Sequence, residues 1–176
     1  LSSAANLALA NGATISRDTG TLDAAPTFGT TVNVSYTGAS SANTSYEIPV
    51  GASVLNNLTI NKSGGVTLGA NATANGTLTL TSGSFDVGAN TLTLNGPTIA
   101  GTPANLTTTS SSTLVFGGSS PGVNIPSSVT SLGGLTINNA SDVTLNSSPT
   151  VAGTLALTSG KVQAGANTLG VSSAGA

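Results

Sequence analysis

Cysteine and histidine are both missing from this sequence, and much of the ordinary chemistry of protein sites goes with them. Without cysteine there is no disulfide, no thiolate zinc site and no sulfur nucleophile. Without histidine the usual general base and the commonest transition-metal ligand are gone as well. Charge is scarce: 5% of the 176 residues are charged, against about a quarter in ordinary domains, and three bases against five acids leave a net charge of -2. Such a surface has little long-range field, so no nucleic-acid partner and no anionic lipid is expected. No apolar run approaches the length of a membrane span, and no signal peptide is visible. The chain opens on Leu1 rather than Met, as expected of a processed or excised product.

What the chain does have is a repeat. The stretch LNNLTINKSGGVTLGANATANGTLTLTSGSFDVGANTLTL, residues 55–94, returns without a gap as LGGLTINNASDVTLNSSPTVAGTLALTSGKVQAGANTLGV, residues 132–171. A slide of about 77 positions matches about half of the residues, which marks a repeat architecture. Within each copy the apolar period is two: Leu58 and Ile60, Val66 and Leu68, Leu78 and Leu80, Phe85 and Val87, Leu92 and Leu94. Each pair falls on one face of a short strand, with Thr or Asp on the other. Gly and Asn between the runs supply the backbone freedom for a turn every few residues.

Strands this short and turns this frequent predict an all-β chain, a β-solenoid (β-helix) of about 19–20 residues per rung with a thin aliphatic column inside. On that reading Leu58, Leu78, a point near Ile99, Leu114 and Leu135 stack one above another, and the long repeat occupies about four rungs. The alternative is a pair of tandem small β-sandwiches, though sandwich strands usually run about five or six residues or more. Residues 1–176 are expected to form a single elongated repeat domain, with copies at 55–94 and 132–171 and linker segments at 17–54 and 95–131. Even the linkers share the repeat, since Ile48-Pro49 precedes Leu55 as Ile125-Pro126 precedes Leu132.

Few residues are candidates for chemistry. The acids Asp18, Asp23, Glu47, Asp86 and Asp142 are scattered, and the counterparts of Asp86 and Asp142 in the other copy are Gln163 and Gly65. No acid row that could flank a glycosidic bond is maintained, and no calcium-binding repeat is present. No catalytic, cofactor or metal site is therefore expected, and Arg17, Asp18, Lys62 and Lys161 read as solvated surface charges. The Asn-x-Ser/Thr triplets, Asn139 among them, are expected to be mostly unmodified. Three of the five aromatic residues, Phe28, Tyr36 and Tyr46, fall in the first linker; they either plug a wider rung or form a lateral contact patch. The segments Asn6–Ile15 and Gly165–Val171 share a phase of the repeat, which marks Leu7, Leu9, Leu169 and Val171 as candidate self-association ends.

The Gly, Asn and Thr rich phrases of the two copies resemble the β-strand repeats of large, adhesin-like bacterial cell-surface proteins. The resemblance covers about half of the chain and implies an extracellular stalk, adhesin or matrix component, with no catalytic residue attached. Together with low charge, abundant Ser and Thr and absent Cys, it leads us to expect a secreted or cell-surface prokaryotic protein. The expected function is that of a non-catalytic structural subunit or segment of a head-to-tail solenoid filament or cell-surface stalk, its main partner another copy or a longer array. Two alternatives remain, a glycan-binding adhesin module and an ice-binding solenoid. The latter needs an unbroken Thr-x-Thr ladder, and Thr77-Leu78-Thr79 already becomes Thr154-Leu155-Ala156 in the second copy.

Overall fold

The computed structural model describes residues 7–172. They form a parallel β-solenoid of about eight turns, with about 20 residues per turn and no α-helix among the described residues. Five strands make one sheet: β1 (Ala13–Arg17), β2 (Val32–Gly38), β4 (Leu55–Lys62), β7 (Leu78–Ser82) and β10 (Ala100–Gly101). A second sheet holds β3 (Ala42–Asn43), β5 (Val66–Thr67), β8 (Phe85–Asp86) and β11 (Leu106–Thr107). The third is the longest, with β6 (Ala72–Ala74), β9 (Thr91–Leu94), β12 (Thr113–Phe116), β14 (Ser131–Asn138), β16 (Thr150–Ser159) and β18 (Gly170–Val171). The fourth comprises β13 (Val123–Ile125), β15 (Val143–Leu145) and β17 (Val162–Gln163). Every strand pair is parallel. Hairpin-built sandwiches would be antiparallel, so the sandwich alternative is excluded.

The period-two pattern places the core. Leu58 pairs with Leu78, Leu92 with Leu114 and Leu114 with Leu135, and Val66, Phe85 and Leu106 stack in the second sheet. All of these side chains are buried, and each contributes on the order of 1.5–3 kcal/mol when fully removed from water. The segments read as linkers are turns of the same coil, carrying β2, β3 and β10 to β13. One of them is wider. Val34 pairs with Leu58, a step of about 24 residues, and the extra length runs without a strand from Thr44 to Val54.

The column expected through Leu58, Leu78, Ile99, Leu114 and Leu135 needs correction. Leu58 and Leu78 lie in the first sheet, and Ile99 follows them there because the adjoining Ala100 pairs with Thr79. Leu114 and Leu135 lie in the third sheet, stacked on Leu92. The chain thus passes from one face to another between Ile99 and Leu114. The sequence repeat spans about three and two-thirds turns, not four, and the counterpart strands β4 and β14 sit in different sheets.

Corners are set by glycine where the backbone must turn with positive φ against the turn below. Gly83 has φ 73°, and a Cβ there would collide with the carbonyl oxygen of Lys62. Its counterpart Gly160, φ 74°, meets the carbonyl of Asn139 in the same way. Gly165 also has positive φ, 59°, but open space around it. Gly83→Ala is therefore expected to cost well over 2 kcal/mol, and Gly165→Ala about 1 kcal/mol, since only the first adds a collision to the backbone strain. Denaturant midpoints of the two variants check this, and equal losses would show that the corner does not depend on that close approach.

Candidate functional site

Five of the chain's eight charged residues, Arg17, Asp18, Asp23, Glu47 and Lys62, lie in its first turns, and the structure corrects the expected exposure of Arg17 and Lys62. Arg17 lies on β1 at the parity of Ala13 and Ile15, and Tyr36 on β2 at the parity of Val32 and Val34. Lys62 ends β4 at the parity of Leu58 and Ile60. All three side chains are therefore carried toward the inside. Lys62 is 0% exposed; its Nζ donates to the carbonyls of Thr37 and Asp18, 2.7 Å each, and lies 3.5 Å from Asp18 Oδ1. Asp18 itself is exposed. Lys161, by contrast, is exposed as expected.

Glu47 sits at the centre of the second cluster. Its Oε1 accepts from Arg17 Nη1 at 2.5 Å, from the Tyr36 hydroxyl at 2.5 Å and from the Ser45 N–H at 3.0 Å. Its Oε2 is buried with no partner among the described residues. Arg17 is further held by the carbonyls of Gly20 and Asn43, 2.7 Å each, and its guanidinium lies 5.7 Å from the centre of the Tyr36 ring. Burial, reinforced by the Glu47 carboxylate, pushes the Tyr36 phenol far above its ordinary value. Tyr36 is fully buried and so plugs the wide turn; it cannot belong to a lateral patch. Phe28 and Tyr46 do come together, lining a cavity of about 530 Å³ that opens on the same turn.

Asp86 and Asp142 are occupied by turns. Asp86 Oδ1 accepts from the Gly88 N–H at 3.0 Å. Asp142 has φ 70° at the position where the first copy has Gly65, and its carboxylate accepts from Lys161 N and Gln163 Nε2. Among the described residues no group of three or more acids, histidines or cysteines could hold a metal. Among the described residues no helix is long and apolar enough to cross a membrane. Asn139 is fully buried and bonded to the Ser120 carbonyl and the Ser141 N–H, so that triplet is closed to modification. The outward Thr columns are interrupted, running Thr73, Thr93, Val115, Thr136, Ala156 and Thr91, Thr113, Gly134, Thr154.

No family model, curated protein or solved structure matches this chain.

The proposed ends are far apart. Leu7 and Leu9 lie half-buried in the first described turn, where Ala8 bridges Thr27. Leu169 is half-buried and Val171 is 55% exposed in the last, where Leu157 on β16 is 58% exposed. The parity rule could have found Arg17, Tyr36 and Lys62 from sequence. Nothing in the sequence marks Glu47 as their acceptor, since it lies in the strandless part of the wide turn.

Two outcomes are expected of the buried cluster. Arg17→Met strands a buried carboxylate and should cost about 3–5 kcal/mol, while the double variant Arg17→Met, Glu47→Leu should recover most of that loss; thermal or urea unfolding measures both. The second concerns alkaline pH. Below about pH 10 the Tyr36 phenol keeps its proton in both states. Above it the unfolded chain releases the proton while the folded chain holds it, so stability falls by about 1.4 kcal/mol per pH unit. Tyr36→Phe should remove that contribution to the slope, and identical alkaline slopes in the two proteins would contradict the buried phenol.

Proposed function

We propose that this chain is a non-catalytic structural segment of an extracellular head-to-tail β-solenoid, either a filament or a cell-surface stalk. The observation that supports this reading is the last described turn. Leu157 caps the column Leu94, Phe116, Ile137, which is buried everywhere below it, and Leu157 itself is exposed. Val171, stacked on Val151 near the other end of β16, is also exposed, and β17 and β18 are edge strands paired on one side only. Among the described residues no helix or charged segment covers them. Open parallel edges over a bare apolar column are a template for one more turn.

A further turn of this same coil would fit that template. The first described turn also presents half-buried Leu7, Leu9 and Ile15, with β1 as an edge strand. Ile15 and Ile99, equivalent in the segments that share a repeat phase, lie in one sheet four turns apart through Val34, Leu58 and Leu78. Stacking end on end is heterologous and does not close, so it propagates along the axis. Among the described residues the last turn carries Lys161 and the first turn carries Arg17, Asp18 and Asp23, so the two faces do not share one sign of net charge that would oppose stacking.

Electron microscopy and native mass spectrometry of the secreted material test the reading. The expected result is a filament or a long stalk with an axial repeat of about 4.8 Å, the spacing of stacked strands. Leu157→Asp places a charge on an exposed position, so it should leave the monomer folded and abolish end-on association. A parent chain that stays monomeric at high concentration and belongs to no longer array would overturn the proposal.

A further inference from the structure

We propose that the cavity beside Tyr46 is a binding site for a neutral saccharide. The cavity, about 530 Å³, lies between three successive turns: Phe28 comes from one, Ser45, Tyr46 and Val50 from the next, and Asn71 from the third. It opens where the third sheet stops. β6 is the edge strand of that sheet, and the preceding turn, which should supply the neighbouring strand, crosses this region without one. A cavity of this size is in the range of small-ligand sites.

The lining selects the ligand by what it offers. No charged side chain borders the cavity, so an ionic ligand would lose hydration without a countercharge. Tyr46 is 49% and Val50 96% exposed, and Phe28 is partly exposed, which gives ring faces and apolar walls open to solvent. Between them stand neutral hydrogen-bonding groups with capacity left. Asn71 Oδ1 accepts from the Thr91 N–H, which leaves its two amide protons for a ligand, and Ser45 and Tyr46, each carrying a hydroxyl, line the same cavity. A wholly apolar ligand would strip water from those groups and give nothing back. A pyranose has an apolar C–H face for the rings and equatorial hydroxyls for the amide and hydroxyls, and it matches both.

The loop is also held from behind. Glu47, flanked by the lining residues Tyr46 and Ile48, turns the other way and binds Arg17, Tyr36 and the Ser45 N–H. Buried ionic networks seldom add net stability. What this one does is fix a strandless loop in a single position, and a prepositioned loop lowers the ordering cost of binding. The proposal does not depend on head-to-tail assembly.

Saturation-transfer NMR and calorimetry on the whole chain test it, with cellobiose, lactose, maltose and chitobiose as probes, each taken to about 10 mM so that a site of about 1 mM Kd is filled. At least one of the four is expected to bind, and Tyr46→Ala, a change at an exposed position, should weaken it about tenfold through loss of the ring face. Leu157→Asp, at the far end of the coil, should bind as the parent does even if it no longer assembles, which separates this site from the filament reading. Failure of all four sugars to bind, or equal binding by Tyr46→Ala, overturns the proposal. So does a concentration-dependent loss of the free Tyr46 signal without sugar, which would mean that a second copy fills the cavity.

Discussion

Parallel register is the constraint on which the rest of this structure depends. Once the backbone of one turn is hydrogen-bonded to the next, each side chain has a fixed neighbour about one turn away along the chain. Leu92, Leu114 and Leu135 pack together because register leaves them no other partner. The same rule governs polar groups sent inward, which must find a partner in their own turn or in the turns stacked on it. Lys62 finds the carbonyls of Thr37 and Asp18, and its counterpart Asn139 finds Ser120 and Ser141. Ser112 Oγ donates to the Gly88 carbonyl at 2.5 Å. Each is a local solution to a desolvation cost of a few kcal/mol.

The faces of the coil are locally interchangeable, which explains how a repeat of three and two-thirds turns can exist. The two copies make the same contacts although they lie on different sheets. Asn90 Nδ2 donates to the Leu68 carbonyl and Asn167 Nδ2 to that of Leu145, at 2.6 and 2.8 Å. Gly83 and Gly160 close the same corner over Lys62 and Asn139. What the sequence encodes is the relation of one turn to the next, and the face on which that relation begins is set by the chain before it. Copies spaced as these two are carry their side chains to a new face, whereas Ile15 and Ile99, four turns apart, return to the same sheet.

This is also why the sequence was legible in part. Alternation of Leu, Ile and Val with Thr identified strands, their inner faces and the solenoid, because register makes period two the dominant signal. The stacking order between Ile99 and Leu114 is not legible, since a spacing in sequence does not say which face a strand joins. The charged residues depart from expectation for a different reason. Residue type makes Arg17 and Lys62 solvated, whereas parity with Ile15 and Ile60 places them inside. Glu47 and the cavity were out of reach, because both depend on the path of Thr44–Val54, where no period operates.

Register also gives another account of the scarcity of charge. A charge on one turn stands about 4.8 Å from the equivalent position on the next, and a like pair at that distance costs nearly 1 kcal/mol even in water. A solenoid that repeats its sequence would repeat its charges in rows, and the cost would grow with length. This chain breaks such rows wherever a charge occurs. Asp86 stands between Thr67 and Thr107 in its column. Asp142 accepts the backbone N–H of Lys161 from the neighbouring turn, where a charge of opposite sign follows it. In the first turns Arg17 meets Glu47, and Lys62 meets Asp18. A low charge count therefore follows from stacking itself and need not reflect a ligand. The residues that depart from that economy, Arg17, Tyr36 and Glu47, are spent on holding the one loop that the coil does not template.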